Sequence, residues 1–462
     1  MRSKLLGSLL SITLISPLAA QAWSQSFTAG RRDASGAYMG GSEILHLVGH
    51  GGSLYAAVGY WQDGGNLWYG GRDPKRGWAQ ILRLDAPDGD WEVDLELGPL
   101  HLRPEVLAEL TFRTDGSGRP LDTPATLLLT CAYALNLTTT SVHCFVREDT
   151  DGQWTKVKVF GGRRARSEAF SVRDVHVHRD AVTNVDRVFL TIGTQGVFSG
   201  VYDADVPGKI AWDEKPEIGP LRVRPLGIAT ADDALFFSSG DRIYRREDGP
   251  KPSYEVVHDL SDLAPFVRSA VGGVRGLTAV PSPSGEGDSL LFMWAPNARS
   301  RGEMYRLDRG ADGRYERHRE TTLAELVRDH VGADRVSYLL GAYNDLLAIR
   351  SEDAGEMQHL VGLECRVSGD EVPTWKKGYY RGALFAVRDA DGGYHIDEVG
   401  GGTAALEQAL VATRCYAHSP FEGDRAIYFG GHDPNGIPST NMAWVYRKSI
   451  ATPDASDAGK QE

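Results

Sequence analysis

An all-β fold of four-stranded antiparallel sheets is predicted by three features of this sequence. Apolar runs of strand length recur along the chain, and only 323–331 and 404–410 have the apolar spacing of a helix. A turn element centred on Asp-Gly returns several times before an aromatic residue. The last ordered stretch, 410–450, holds three strand-like runs where the earlier units hold four. Together these features predict a seven-bladed β-propeller, closed by an N-terminal strand in the last blade.

The repeated turn joins an apolar strand to the next strand through an acidic residue, Asp-Gly and an aromatic residue. Glycine supplies the positive φ that a tight hairpin requires. Oxygen ligands at alternate positions, as in a calcium loop, are missing, so we interpret these segments as structural turns. The clearest copies are 84–91, 147–154, 307–315 and 387–394, with looser copies at 202–212 and 246–254.

A second repeated element marks the innermost strand of each blade. Its copies begin at intervals of 51 to 76 residues, at Glu43, Glu109, Arg173, Arg224, Arg275, Tyr338 and Arg414. Residues 26–30 are expected to supply the fourth strand of the last blade. The blades are predicted at 42–100, 107–161, 171–219, 223–262, 273–323, 336–401 and 410–450.

The N-terminal segment 1–22 has the pattern of a signal peptide. Arg2 and Lys4 precede an apolar run at 5–15, and Ala20-Gln21-Ala22 matches a cleavage site. No other window is apolar enough for a membrane helix. We therefore expect export to the periplasm or the extracellular space, with one propeller domain at 23–450 and a disordered tail at 451–462.

The charge balance restricts the possible partners. The chain carries 50 Lys and Arg against 62 Asp and Glu, a formal net charge of −12. Such an acidic chain is poorly suited to nucleic acid or an anionic membrane. We expect a monomer that binds a small anionic ligand or an acidic glycan and does not insert into a membrane.

The four cysteines of an exported chain suggest two disulfides. Cys131 and Cys144 flank the segment 135–140 almost symmetrically, so a hairpin would place them opposite each other. That leaves Cys365 to pair with Cys415. No Cys-x-x-Cys spacing occurs, and no cofactor is predicted, although the sequence leaves a divalent metal open.

Four of the seven strand onsets carry arginine, which predicts a basic centre on the propeller axis. We expect Arg173, Arg224, Arg275 and Arg414 to bind the carboxylate or sulfate of a ligand. Glu43 and Glu109 could instead neutralise them in a structural ring of ion pairs. The sequence does not distinguish ligand binding from structural ion pairing for these arginines.

Loops that share this face offer further polar and aromatic groups. His432 or Tyr338 could serve as a general base, while Glu43 and Glu109 could act as a carboxylate pair for glycoside hydrolysis. Three loop residues, Trp61, Asp63 and Asn435, are candidate ligand contacts.

Several runs of this chain are similar to those of a group of exported bacterial β-propeller proteins of comparable length. The resemblance implies no particular activity. Where that group has His-Asn before the Ala-Trp run, this chain has Thr440-Asn441-Met442, so no catalytic role is carried over to that position. The similar runs are 196–203 with 207–208 and Trp212, 275–281, 343–345, 412–414 with 419–421, and 426–430 with 443–447.

Two functional hypotheses follow from these patterns. In the first, the protein is an exported lyase or hydrolase acting on an acidic glycan, in which the arginines neutralise a uronate carboxylate. In the second, it is a non-catalytic propeller that binds a ligand or protein partner, and the Arg/Glu ring is structural. Fold alone does not choose between them, because propellers host both kinds of function.

Overall fold

The computed structural model describes residues 23–60, 77–136, 138–163, 165, 167–267, 271–351, 355–375, 377–401, 409–433 and 441–450. Three short strands come first along the chain, of which β2 and β3 form a two-stranded ribbon. Their bounds are β1 (Trp23–Thr28), β2 (Arg31–Arg32) and β3 (Tyr38–Met39).

Five four-stranded antiparallel sheets follow, and each is built from strands consecutive in the chain. Sheet I holds β4 (Glu43–His50), β5 (Ser53–Gly59), β6 (Gln80–Leu84) and β7 (Glu92–Glu96). Sheet II holds β8 (Val106–Thr114), β9 (Pro120–Leu135), β10 (Thr139–Arg147) and β11 (Trp154–Arg163). Sheet III holds β12 (Val172–Arg179), β13 (Asp186–Ile192), β14 (Gly196–Tyr202) and β15 (Ile210–Trp212).

The next two sheets repeat this arrangement. Short 3₁₀ turns lie before and within sheet III, at Ser167–Ala169, Gly193–Gln195 and Pro207–Lys209. Sheet IV holds β16 (Pro225–Ala231), β17 (Ala234–Ser239), β18 (Arg242–Glu247) and β19 (Ser253–Asp259). Sheet V holds β20 (Gly273–Pro281), β21 (Asp288–Ala295), β22 (Glu303–Arg309) and β23 (Tyr315–Thr322), and helix α1 (Leu323–Val331) follows it.

The remaining strands belong to one nine-stranded sheet with two halves. Among the described residues, strand pairing joins the two halves at one position, Glu364 opposite Ala412. In the second half, β1 pairs antiparallel with the last strand, from Trp23 opposite Lys448 to Thr28 opposite Trp444. The first half holds β24 (Arg335–Gly341), β25 (Leu347–Arg350), β26 (Met357–Ser368), β27 (Leu384–Arg388) and β28 (Tyr394–Glu398). The second half holds β29 (Ala412–His418), β30 (Ile427–His432), β31 (Trp444–Lys448) and β1.

The hydrophobic core is divided into clusters that each join two sheets. Leu110 and Phe198 belong to the cluster between sheets II and III, and Phe236 and Phe292 to the cluster between sheets IV and V. Comparable clusters join sheet I to II, III to IV, V to the first half of the nine-stranded sheet, and its two halves to each other. A further cluster, which includes Ile44, packs the second half against sheet I.

Two local predictions are confirmed. The helix expected at 323–331 is α1, with buried Leu323 and Val327 facing the core and Gly332 ending it in the left-handed conformation. The Asp-Gly turns lie between the third and fourth strands of their sheets, and Gly152, Gly313 and Gly392 have positive φ. The helix expected at 404–410 falls largely outside the described residues.

One predicted disulfide is present and the other is wrong. Cys131 and Cys144 are directly paired on β9 and β10 and form a disulfide. Cys365 and Cys415 are free and buried. Cys365 packs in the cluster that joins sheet V to the first half of the nine-stranded sheet, whereas Cys415 packs against sheet I. The two thiols thus face different clusters, and the pairing inferred by elimination fails.

Candidate functional site

A loop that interrupts an edge strand lies near the centre of the molecule. β24 and β25 both pair with β26, but Gly341 lies opposite Leu363 and Leu347 lies opposite Leu360. Residues 342–346 therefore have only two residues opposite them and leave the sheet as a loop, which we name the axial loop. Ala342 begins this loop with a positive φ of 47°.

The axial loop is held by groups from several other sheets. The Asn344 side chain donates hydrogen bonds to the carbonyl oxygens of Leu45 (2.5 Å) and Arg414 (3.2 Å). The Leu346 backbone N–H donates to Thr278 Oγ1 at 3.2 Å. These contacts reach sheets I and V and strand β29, so the loop lies where the first strands of the sheets converge.

Tyr343, in this loop, is surrounded by arginines. Its hydroxyl accepts hydrogen bonds from Arg103 Nη2 at 2.7 Å and from Arg173 Nη1 at 2.6 Å. The guanidinium carbons of Arg414, Arg173 and Arg275 lie 4.0, 4.3 and 5.7 Å from the centre of its ring. The tyrosine remains partly exposed. We name Tyr343 and the arginines around it the axial cluster.

Two of the clustered arginines are paired with buried carboxylates. Arg103 Nε lies 3.0 Å from Glu43 Oε1. Arg414 Nη1 lies 3.2 Å from Glu43 Oε2, and its Nη2 lies 3.4 Å from Glu364 Oε2. Glu43 is 1 % exposed and Glu364 is 5 % exposed. This side of the cluster is therefore a structural network of ion pairs.

The other side carries arginines without such partners. None of the ion pairs in the described part of the chain includes Arg173, Arg224 or Arg275. Arg275 is 1 % exposed, and its buried Nε and Nη1 have no hydrogen-bond partner among the described residues. Arg224 is partly exposed and donates to Ser171 Oγ at 3.3 Å. Burying a guanidinium without a carboxylate partner is costly, so this half of the cluster favours an anion, which can be the Tyr343 phenolate or a bound ligand.

The excess of arginines over carboxylates on this side of the cluster shifts the pKa values of Arg275 and Tyr343. Burial and the charges of Arg173 and Arg224 lower the pKa of Arg275 to about 9. Burial opposes ionisation of Tyr343, but the charges of Arg103, Arg173 and Arg414 outweigh it and lower its pKa to about 6. The arginines thus favour the phenolate form of Tyr343, which can accept a proton.

The two residues predicted as general bases, His432 and Tyr338, have different surroundings. His432 is fully buried; its Nε2 lies 3.3 Å from Arg414 Nη2. Burial and the charges of Arg414 and Arg103 hold the pKa of this histidine well below its usual range. Tyr338 is partly exposed beside Glu364, and burial together with that carboxylate raises the pKa of its hydroxyl. Tyr343 is thus the better placed proton acceptor.

Glu109 does not join this cluster. It lies along β8, with its side chain 41 % exposed, and its Oε2 is 2.8 Å from Nδ1 of His50 at the end of β4. Because β8 begins at Val106, the carboxylate at its onset is that of Glu105, whose pKa is raised by burial. The predicted contacts Trp61, Asp63 and Asn435 lie outside the described residues.

Sequence patterns alone did not predict Tyr343, Glu105 or Glu364 for this centre, whereas Arg103 lies in a connection predicted to share its face. Glu105 precedes the first strand of sheet II, so a register four residues earlier would have identified it. Glu364 lies on a second strand, β26, and Tyr343 lies in a loop that has no periodic pattern. The Tyr343-Asn344-Asp345 run belongs to the resemblance described above and carried no role there.

A cavity of about 210 Å³ adjoins the axial loop. His46, Arg173 and the carboxylates Asp174 and Asp345 line it, together with apolar residues of β4, β8 and β12. Asp345 is exposed at this cavity, but partial desolvation by the surrounding protein raises the pKa of its carboxyl to about 7. Desolvation of Asp174, together with its neighbour Asp345, raises the pKa of Asp174. No group of three or more potential metal-ligating side chains occurs within the described residues.

In the part of the chain that the structure describes, no helix combines the length and apolar character required to cross a bilayer.

Comparisons with known proteins give only remote structural likeness. No protein-family model matches the chain, and no curated protein matches its sequence. The α-L-arabinofuranosidase Arb93A from Fusarium graminearum is similar at 10 % identity and a TM-score of 0.41, covering 93 % of this chain and 97 % of that one. The six-bladed β-propeller lectin of Aleuria aurantia is similar at 13 % identity and a TM-score of 0.35, covering 79 % and 97 %. At these values, the likeness assigns no activity to the chain.

Proposed function

We propose that this protein is an exported carbohydrate-active enzyme, a lyase that cleaves an acidic glycan at the axial cluster. One observation carries the proposal: Arg173 and Arg275 lie against Tyr343, Arg224 is close enough to lower the pKa of Arg275, and none of the three forms an ion pair among the described residues. A uronate sugar supplies both the carboxylate that these cations lack and a proton that a phenolate can remove.

The arginines would prepare the substrate for this step. A guanidinium hydrogen-bonds a carboxylate in bidentate fashion. Neutralising the carboxylate makes the proton on the neighbouring carbon more acidic, because the negative charge that develops on proton removal is stabilised. Arg224 is the most accessible of the three, while the more buried Arg173 and Arg275 add positive charge behind it.

The reaction balances without any further reactant. The Tyr343 phenolate takes the proton from the carbon that bears the carboxylate. The electron pair of that C–H bond forms a carbon–carbon double bond, and the glycosidic C–O bond at the next carbon breaks. The leaving oxygen then takes the proton back from the Tyr343 hydroxyl, so the enzyme returns to its starting state.

Hydrolysis by a carboxylate pair is less well supported. Glu43, Glu105 and Glu364 are all at most 5 % exposed, and Glu43 and Glu364 are ion-paired with arginine. These carboxylates cannot reach a glycosidic bond without breaking that network. Asp174 and Asp345 line the adjoining cavity, so the experiment below includes Asp345 as the test of a hydrolase.

A non-catalytic role is the second candidate, and one observation favours it. The Tyr343 hydroxyl already accepts two hydrogen bonds from arginine, which would also serve to fix the axial loop in place. In that case the cluster would bind an acidic ligand without transforming it.

We also infer that the sheets are the seven blades of a closed propeller. If the two halves of the nine-stranded sheet count as separate blades, the hydrophobic clusters join every neighbouring pair of blades, including the last blade and the first. The strand from Trp23 to Thr28 would then complete the seventh blade. Export is supported by the disulfide between Cys131 and Cys144, which is typical of oxidising compartments.

The test uses the mature protein and a panel of polymers: polygalacturonate, alginate, hyaluronan, chondroitin sulfate and, as neutral controls, xylan and galactan. Absorbance of unsaturated products and new reducing ends are followed together. We expect unsaturated products from an acidic polymer, abolished in Tyr343→Phe and reduced at least tenfold in Arg224→Gln. Tyr315→Phe, on the outer strand β23, is the matched control.

The possible outcomes separate the hypotheses. Reducing ends without unsaturated products, lost in Asp345→Asn but not in Tyr343→Phe, would identify a hydrolase. Binding of an acidic polymer without either product, weakened in Arg224→Gln, would identify the non-catalytic role. Neither binding nor turnover across the panel would refute an acidic glycan as ligand.

A further inference from the structure

A row of three side chains crosses the first half of the nine-stranded sheet near the axial cluster. Tyr338 on β24 pairs with Arg366 on β26, and Arg366 forms a bridge with Tyr379. Directly paired residues of antiparallel strands point to the same face of a sheet. The Arg366 guanidinium accordingly lies 4.7 Å from the ring centre of Tyr379 and 5.7 Å from that of Tyr338.

This row continues into a second arginine–aromatic pair. Trp375 precedes Tyr379 in the segment between β26 and β27, and its backbone N–H donates to the Tyr379 carbonyl at 2.7 Å. The Arg381 guanidinium lies 5.3 Å from the Trp375 ring. Tyr338, Arg366 and Trp375 are partly exposed, so aromatic side chains and a cation reach the solvent side by side.

Arg366 also lacks the partner that most arginines of this protein have. None of the ion pairs among the described residues includes it, and its buried Nε has no hydrogen-bond partner there. The flanking rings hold the guanidinium in place, which lowers the entropic cost of binding an anion. A carboxylate would thus meet an ordered cation.

The row is adjacent to the axial cluster. Glu364 and Arg366 are two residues apart on β26 and face the same side of the strand. Glu364 pairs with Arg414, whose guanidinium covers the Tyr343 ring. A chain of sugars that places one uronate at Tyr343 can therefore extend along β26 toward Arg366.

We propose that Tyr338, Arg366, Tyr379 and Trp375 form a second sugar subsite, which binds a neighbouring acidic residue of the same glycan chain. This inference rests on the proposed function of the axial cluster. Affinity should therefore increase with the length of the oligosaccharide. The protein recognises oligosaccharides with carboxylates on successive sugars, and a single uronate occupies only part of the site.

The test measures binding by calorimetry, with galacturonic acid and its di-, tri- and tetrasaccharides as probes, or the corresponding series from whichever acidic polymer of the panel binds. Binding is measured with Tyr343→Phe as the background, so that no substrate is consumed. We expect affinity to rise from one sugar to three. Arg366→Gln should weaken trisaccharide binding about tenfold and leave the monosaccharide unchanged.

Arg314→Gln, at a side chain that is 90 % exposed on a turn of sheet V, is the control for loss of a charge. Arg366→Lys keeps the charge but not the stacking, so it should recover only part of the loss. Binding that weakens in Arg224→Gln but is equal for all lengths and unchanged in Arg366→Gln would overturn the subsite alone. No binding of any acidic sugar would overturn the proposed function and the subsite with it.

Discussion

Arg173 Nη1 donates a 2.6 Å hydrogen bond to the Tyr343 hydroxyl, across the boundary between sheet III and the axial loop. Arg103 donates a second, at 2.7 Å, from the segment that leads into sheet II. Both donors are charged, and neither can accept a hydrogen bond. The hydroxyl oxygen is therefore stabilised when it loses its own proton, and the resulting phenolate can accept a proton from a substrate.

The first prediction concerns the ionisation of Tyr343. Because the surrounding arginines lower its pKa to about 6, the wild-type protein should gain tyrosinate absorbance between pH 5 and pH 7. Ordinary tyrosines ionise near pH 10. The measurement is a spectrophotometric pH titration of the wild-type protein minus Tyr343→Phe, in which the difference should show one ionisation near pH 6.

Arg173→Gln provides the matched test of the cause. Removing one of the two hydrogen-bonding cations should move this ionisation to higher pH, whereas Arg314→Gln should not change it. A difference spectrum that shows no ionisation below pH 9 would contradict the proposed base. Under the proposed function, the rate of product formation should rise over the same pH range as the tyrosinate.

A second prediction contrasts two arginines that look equivalent in the sequence. Arg414→Met leaves Glu43 and Glu364 buried with fewer cations, which should lower the free energy of unfolding by about 3–5 kcal/mol. Arg275→Met removes a buried charge that has no ion pair among the described residues, so it should leave stability unchanged or raise it. Urea unfolding of the two variants measures the difference.

The same pair of variants separates structure from function. Arg275→Met should weaken the binding of an acidic ligand although it does not destabilise the protein. If it instead destabilises as strongly as Arg414→Met, the arginines are part of one structural ring, and the case for a ligand on this side of the cluster is lost.

Periodic features of the fold could be predicted from sequence because they depend on local chemistry. The helix at Leu323–Val331 follows from its apolar spacing, and the turn at Gly313 from the positive φ that glycine tolerates. The disulfide between Cys131 and Cys144 follows from their symmetric positions in a hairpin. Each of these inferences uses residues that are close in the chain.

Features that depend on contacts between sheets could not be predicted in this way. Cys365 and Cys415 lie on neighbouring strands of one sheet, yet they pack into different interfaces, which the count of cysteines does not reveal. Tyr343 reaches the centre because five residues bulge from a strand opposite two, and no periodicity marks such a bulge. In sheet II, Glu105 occupies the place assigned to Glu109, since the strand begins at Val106.

The third prediction concerns the cysteines. Cys365 and Cys415 are buried, so the native protein should show no thiol that reacts rapidly with a thiol reagent, and the unfolded protein should show two. Reduction of the disulfide should make two more thiols reactive in the unfolded protein. The double variant Cys131→Ser with Cys144→Ser should lose about 3 kcal/mol of stability, the value expected for a short closed loop. Four reactive thiols in the unfolded, unreduced protein would contradict this arrangement.

The fourth prediction concerns the pH dependence of stability at the axial loop. Asp345 is exposed to solvent at the cavity, but partial desolvation by the surrounding protein raises the pKa of its carboxyl from an ordinary value of 3.8 to about 7, so the folded state holds a proton that the unfolded state releases. This group's contribution to stability is therefore complete below pH 3.8, is lost as the pH rises from 3.8 to 7, and stays lost above pH 7.

Asp345→Asn cannot ionise, so its stability relative to the wild-type protein should increase between pH 4 and pH 7 and then level off. It also removes the neighbour that raises the pKa of Asp174, which should bring the titration of that carboxylate to lower pH. Urea unfolding of both proteins at pH 4, 5.5, 7 and 8.5 measures the effect, with Asp312→Asn, on an exposed turn, as the control. An equal difference at all four values would mean that Asp345 is already ionised in the folded protein. In that case the exposure of Asp345 to water would outweigh desolvation by the surrounding protein, and the carboxylate would be unsuitable as the proton donor of a hydrolase.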